Sequence, residues 1–171
     1  MKRFALVSLA VLTFMISFSE DAFGCECVPA PLEKPSREEA RTALVKDFNG
    51  AAAIFSGKVV EANNLKLRFE VDRVWKGHVG KQFVMSTGTK EYENGKYSFS
   101  GCDYNFKIGE EYLVYAYPVD PDRHLGSTEL QARQCTRTRL LKDAEPETRE
   151  LEEIYVHPIV WRRVQKAVGS V

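Results

Sequence analysis

The chain has 171 residues, no formal net charge, and apolar and charged fractions of 44% and 28%. That balance excludes wholesale disorder and removes the electrostatic case for nucleic acid or an anionic membrane as the main partner. The length suits one domain with a real core rather than two.

At the N-terminus, Lys2 and Arg3 precede an apolar run from Phe4 to Phe18, which Glu20 and Asp21 close. Ala22 and Gly24 then offer the small residues a signal peptidase needs just before its cut. Residues 1–24 therefore read as a secretory signal, too short and one-sided for a comfortable membrane span. Cleavage behind Gly24 makes Cys25 the first residue of the exported chain and frees its α-amino group. Lipid attachment at Cys25 is a lesser alternative, because Glu20, Asp21 and Phe23 crowd the approach. No membrane span is expected, and the location is secreted or extracytoplasmic, periplasm or cell surface included.

Beyond Cys25-Glu26-Cys27-Val28-Pro29, Pro31 and Pro35 keep the chain extended. Ser36 and Glu39 form a capping box. The spacing of Ala40, Leu44 and Phe48 predicts an amphipathic helix from Arg37 to Phe48, ended by Asn49-Gly50. Strands follow. Ala51–Ala62 carries Ile54, Phe55, Val59 and Val60, with Gly57 as a bulge or barrel corner. After an Asn63-Asn64 turn, Leu65, Leu67, Phe69 and Val71 alternate with Lys66, Arg68, Glu70 and Asp72, which predicts one buried face. A third strand is expected over Gln82–Ser86, then a long polar loop over Thr87–Gly101 containing Tyr92, Tyr97 and Phe99. Glu111–Pro118 reads as a buried strand, Val119–Ser127 as loop, and Thr128–Cys135 as the fifth strand. Helices are expected from Glu145-Pro146, with Leu151 and Ile154 inward, and from Pro158 onward, where Arg162, Arg163 and Lys166 oppose Val160, Trp161, Val164 and Val168. The fold expected is mainly β: a five-stranded Greek-key barrel with one helix before it and C-terminal helices packed outside. The organisation is signal 1–24, domain 25–144 and helical extension 145–171.

The four cysteines, Cys25, Cys27, Cys102 and Cys135, all lie in the exported part. An even count in an oxidising compartment favours disulfides. A Cys25–Cys27 bond closes a strained small ring, so each is expected to reach a distant partner, and two pairings stay open. Each long loop so closed contributes roughly 4–5 kcal/mol in the chain-entropy picture. A zinc site of four thiolates competes poorly, since its pairs normally come as C-x2–4-C.

Several landmarks stand in order: Cys25-x-Cys27-x-Pro29, Phe55-Ser56-Gly57-Lys58-Val59, Val74-Trp75-Lys76-Gly77, Cys102, Gly109-Glu110-Glu111-Tyr112-Leu113-Val114 and Cys135-Thr136-Arg137-Thr138. Over Cys25–Ala144 the chain resembles the netrin-like module, in the form found in the N-terminal domain of tissue inhibitors of metalloproteinases. The resemblance implies an OB-type barrel and the pairs Cys25–Cys102 and Cys27–Cys135. It also implies a site. Cys25 would chelate the zinc of a target protease through its α-amine and carbonyl oxygen, and Glu26 would enter the specificity pocket. Cys27, Val28 and Pro29, with Ser100 and Gly101 of the Ser98–Cys102 loop, would form the flanking ridge. The chain departs from that family at Glu26, where a small hydroxylated or apolar side chain is preferred. It also lacks one disulfide and the cysteine-rich second domain.

Two functions follow: an exported inhibitor of zinc metalloproteinases, and an exported module that binds a protein or a surface polymer. An enzyme is not expected. His78, His124 and His157 sit in no metal or triad spacing, and no G-x-S-x-G or H-E-x-x-H occurs. Glu110-Glu111 and Glu152-Glu153 read as exposed faces, and no cofactor is implied.

Overall fold

The computed structural model describes Cys25, Cys27, residues 33–119 and residues 129–156. The signal, Glu26, Val28, Pro29, the 120–128 connection with His124, and the helix expected from Pro158 lie outside the described residues.

Helix α1 (Arg37–Gly50) begins at the expected capping box. The Glu39 N–H donates to Ser36 Oγ at 3.2 Å, and the Ser36 N–H donates to the Glu39 carboxylate at 2.8 Å. The helix buries Leu44 and Val45 and continues past the expected end at Phe48. Lys76 explains the extension. Its ammonium donates to the carbonyls of Phe48 and Asn49 at 2.7 and 2.8 Å, supplying the cation that a helix C-terminus favours.

The strands are β1 (Ala53–Ala62), β2 (Lys66–Lys76), β3 (Gln82–Ser86), β4 (Lys90–Glu91), β5 (Tyr97–Ser98), β6 (Glu111–Pro118), β7 (Leu130–Gln131) and β8 (Arg139–Leu140). They pair in the order β1-β2-β3-β7-β6, and β6 returns to pair with β1, closing a five-stranded barrel. Only β3 and β7 run parallel; the other neighbours are antiparallel. This is the OB-type Greek-key barrel. At Gly57 the β1–β2 register shifts, and a Cβ there would meet Glu70 O at 2.8 Å. The bulge thus requires glycine.

One strand alternation fills two cores. Phe55, Val59, Leu67, Phe69, Met85, Tyr112 and Val114 point into the barrel, where Phe69 meets the Phe55 and Phe106 rings edge-on. Leu65, at the head of β2, is only half-buried, whereas Leu67, Phe69 and Val71 are buried as expected. Ile54, Leu113 and Tyr115 point the other way, onto Leu44 of α1 and onto Leu151 and Ile154 of α2 (Glu145–Val156). Because β1 and β6 are covered on both faces, β6 reads as an unbroken apolar run.

Three expectations need correction. The Thr87–Gly101 segment is a hairpin arm, with β4 and β5 paired through Lys90–Ser98 and Glu91–Tyr97. The fifth strand is much shorter than Thr128–Cys135. After β7 the chain leaves the barrel at Arg133, which bridges Asp103, and it rejoins β6 only at β8. Between those contacts Thr138 substitutes for a strand: its Oγ accepts from the Tyr115 N–H at 3.0 Å and donates to the Tyr115 carbonyl at 3.3 Å. Glu152, finally, is no free surface acid. It accepts from Trp75 Nε1 at 2.8 Å and from Arg73, tying α2 to β2, while Glu153 remains exposed.

Glu147 of α2 centres a partly buried polar cluster. The Tyr115 hydroxyl donates to Glu147 at 2.7 Å, and Arg137 and Arg139 neutralise that carboxylate. Arg137 also reaches Asp47 of α1 at 2.5 Å. Every partner is satisfied, so the cluster reads as a structural clamp.

Candidate functional site

Sequence places the four cysteines at both ends of the domain, and the fold brings them to one spot. Cys25 bonds to Cys102 and Cys27 bonds to Cys135, with sequence separations of 77 and 108. These are the pairs the family resemblance implied. All four cysteines are paired, which removes the four-thiolate zinc site. The two bridges touch: Cys25 Sγ lies 3.7 Å from Cys135 Sγ.

The loop that receives Cys25 is built by local hydrogen bonds. The Asp103 N–H donates to the Ser100 carbonyl at 3.0 Å, making Ser100–Asp103 a tight turn. Asp103 returns a carboxylate to the Ser100 N–H at 2.8 Å, and Ser100 Oγ accepts from the Cys102 N–H at 3.1 Å. That carboxylate occupies the space a side chain at Gly88 would fill, where the backbone has φ +92°. The Gln134 N–H donates to the Cys102 carbonyl at 2.8 Å, so both cysteine-bearing loops hold one another.

Gly101 sits directly over the N-terminal segment. A Cβ at Gly101 would stand 3.6 Å from the Cys25 backbone nitrogen. Ser100 and Gly101 are exposed, Cys25 is half-buried and Cys27 exposed, so Cys25, Cys27, Ser100 and Gly101 form one ridge. Glu26, Val28 and Pro29 lie outside the described residues, although Glu26 is bracketed by two anchored neighbours. Beside the ridge a cavity of about 590 Å³ is lined by Cys25, Cys102, Cys135, Lys90 and Arg133, among others. A second cavity of about 400 Å³ is lined by Phe99, Ser100, Gly101, Tyr104 and Phe106, among others.

Sequence reasoning missed the parts that shape this ridge. Asp103, Gly88, Gln134 and Arg133 belong to no motif; Gly88, Gln134 and Arg133 act through contacts with residues far along the chain, and Asp103 adds such contacts, to Gly88 and Arg133, to its local turn with Ser100. The arm also presents Tyr92, Tyr97 and Phe99 to solvent, with Phe99 80% exposed. His78 is exposed, and among the described residues no three His, Cys, Asp or Glu side chains converge as metal ligands. Among the same residues, no helix is long and apolar enough to cross a membrane. Two disulfides fit an oxidising, extracytoplasmic setting. No protein-family model and no curated protein matches the chain.

Proposed function

We propose that the chain is an exported, disulfide-stapled netrin-like protein that inhibits zinc metalloproteinases through its N-terminal cysteine. The observation that carries this reading is the anchoring of Cys25. Its side chain is bonded to Cys102, and its backbone nitrogen lies beside the exposed Gly101, within van der Waals reach of where a side chain there would stand. Once residues 1–24 are removed, that nitrogen becomes an α-amine. Such an amine has a pKa near 8 and gives up its proton at little cost. A catalytic zinc keeps one coordination position for water, and the Cys25 amine and carbonyl oxygen together would displace that water. The two bridges fix the chelating atoms before binding, which lowers the ordering entropy lost in the complex. Glu26 would follow into the specificity pocket, with Val28, Pro29, Ser100 and Gly101 bearing on its rim. The zinc is the target's own, and this protein needs no cofactor.

Zinc endopeptidases assayed against three forms of the exported protein test the reading. One alanine added before Cys25 turns the amine into an amide and pushes a residue into the metal site, so inhibition should be lost. Glu26→Ser should strengthen inhibition of enzymes with apolar pockets, because an unpaired buried carboxylate costs several kcal/mol. Full inhibition by the extended form, or none by any form, defeats chelation.

A second reading has its own observation. Tyr92, Tyr97 and Phe99 stand exposed on the arm that borders the ridge, and exposed aromatic groups are common anchors of protein and polymer partners. If no form inhibits, the domain is an exported binding module with this arm as its contact.

A further inference from the structure

The contact between the two bridges has a chemical consequence. Two disulfides whose sulfurs lie 3.7 Å apart, between residues 110 positions distant in sequence, are within reach of exchange. The outer bridge is open to solvent, since Cys27 and Cys135 are both exposed, whereas Cys25 and Cys102 are half-buried. One cavity borders Cys25, Cys102 and Cys135 together and is also lined by Lys90 and Arg133. Asp103 lines it too, but its carboxylate is engaged by the Ser100 N–H.

From this geometry we infer that the ridge is a thiol-reactive relay: a small-molecule monothiol enters at Cys27, and the free thiol emerges at Cys102. In the first step the external thiolate attacks Cys27 Sγ. A mixed disulfide forms there, the Cys27–Cys135 bond breaks, and Cys135 leaves as a thiolate. Cations lining the cavity favour that leaving group, because positive charge lowers a thiol's pKa and a lower pKa leaves faster. In the second step the Cys135 thiolate attacks Cys25 Sγ, the Cys25–Cys135 bond forms, and Cys102 departs as the thiolate that then takes a proton. One thiol is consumed and one released, with no net oxidant. Closing from 3.7 Å to a bond of about 2 Å is within the swing of a side chain.

The second step wins over a second external attack by proximity. An internal thiolate acts at an effective concentration in the millimolar range or above. Against about 10 µM external thiol, the internal route leads by roughly a hundredfold. The outcome is a domain whose Ser100–Asp103 turn is untied from the N-terminal segment while Cys25 stays tethered. That this would switch inhibition off rests on the proposed chelation. The relay itself does not.

The test uses the oxidised exported protein with one equivalent of glutathione at pH 8, quenched with N-ethylmaleimide and mapped by mass spectrometry. The relay predicts glutathione on Cys27, maleimide on Cys102 and a new Cys25–Cys135 link in the same molecules. Maleimide on Cys135 with Cys25–Cys102 intact overturns it. So does glutathione on Cys25 or Cys102, or no adduct at all. Protease inhibition is assayed separately on the mapped adduct, so a failed relay and a failed chelation give different results.

Discussion

At the scale of single residues, Thr138 stands in for a missing strand neighbour of β6. It holds both backbone groups of Tyr115 where no strand reaches them. Thr138→Val keeps the shape and leaves a buried N–H unsatisfied, which costs about 1–3 kcal/mol. Urea titration should show that loss as a lower midpoint with an unchanged slope. Tyr115 adds a pH dependence. Burial first, and the Glu147 carboxylate second, hold its ionisation far above the ordinary tyrosine range. The folded state therefore binds the phenolic proton more tightly than the unfolded chain does. Its contribution is fully present below pH ~10 and drains away as pH rises beyond that. Burial also raises Tyr104 and Tyr117, so the wild type is best compared with Tyr115→Phe. The variant should lose less stability between pH 9 and pH 11 than the parent. Equal losses would assign the alkaline instability elsewhere.

At the scale of elements, α1 depends on its first turn. Ser36→Ala removes the acceptor for the Glu39 N–H and should cost about 1 kcal/mol, again read as a urea midpoint. That signal was legible because a capping box is written within four adjacent residues. The same holds for β2, where Leu67, Phe69 and Val71 are buried and Lys66, Arg68, Glu70 and Asp72 exposed, as strict alternation requires. It holds for β3 and β6 as well, whose bounds match the expectation. What could not be read is what depends on distant partners. β8 is two residues long and exists because β6 offers an edge to it. The chain breaks away from β7 because Cys135 must reach Cys27, and no local pattern encodes that detour. β4 and β5 are exposed on every residue, so the polar arm carries no hydrophobic period to betray a hairpin. The ridge was half legible. Cys-x-Cys marked its N-terminal side, while Asp103 and Gly88, which set the opposite loop, announced nothing.

At the scale of the whole molecule, the two cores cannot part. Ile54 and Phe55 are neighbours in β1 yet belong to opposite cores, and Leu113 and Val114 repeat the arrangement in β6. Melting either core exposes the strands that support the other, which makes one cooperative transition the expected behaviour. Trp75 reports on the helical side, where it is 4% exposed and bonded to Glu152. Far-UV circular dichroism reports chiefly on the strands and helices together. With Trp161 changed to Phe, fluorescence and dichroism should trace the same urea curve. The bridges then decide how far that transition lies from native conditions. A domain of this size carries about 5–15 kcal/mol in all, and each long loop closed by a disulfide contributes roughly 4–5 kcal/mol at most. Reducing and alkylating both bridges therefore removes a large share of the total. The reduced protein should unfold at a far lower urea concentration, with Trp75 solvated near the start of the titration. A reduced protein whose midpoint matches the oxidised one would show that the barrel and its helices hold alone. The bridges would then serve only to fix the N-terminal ridge.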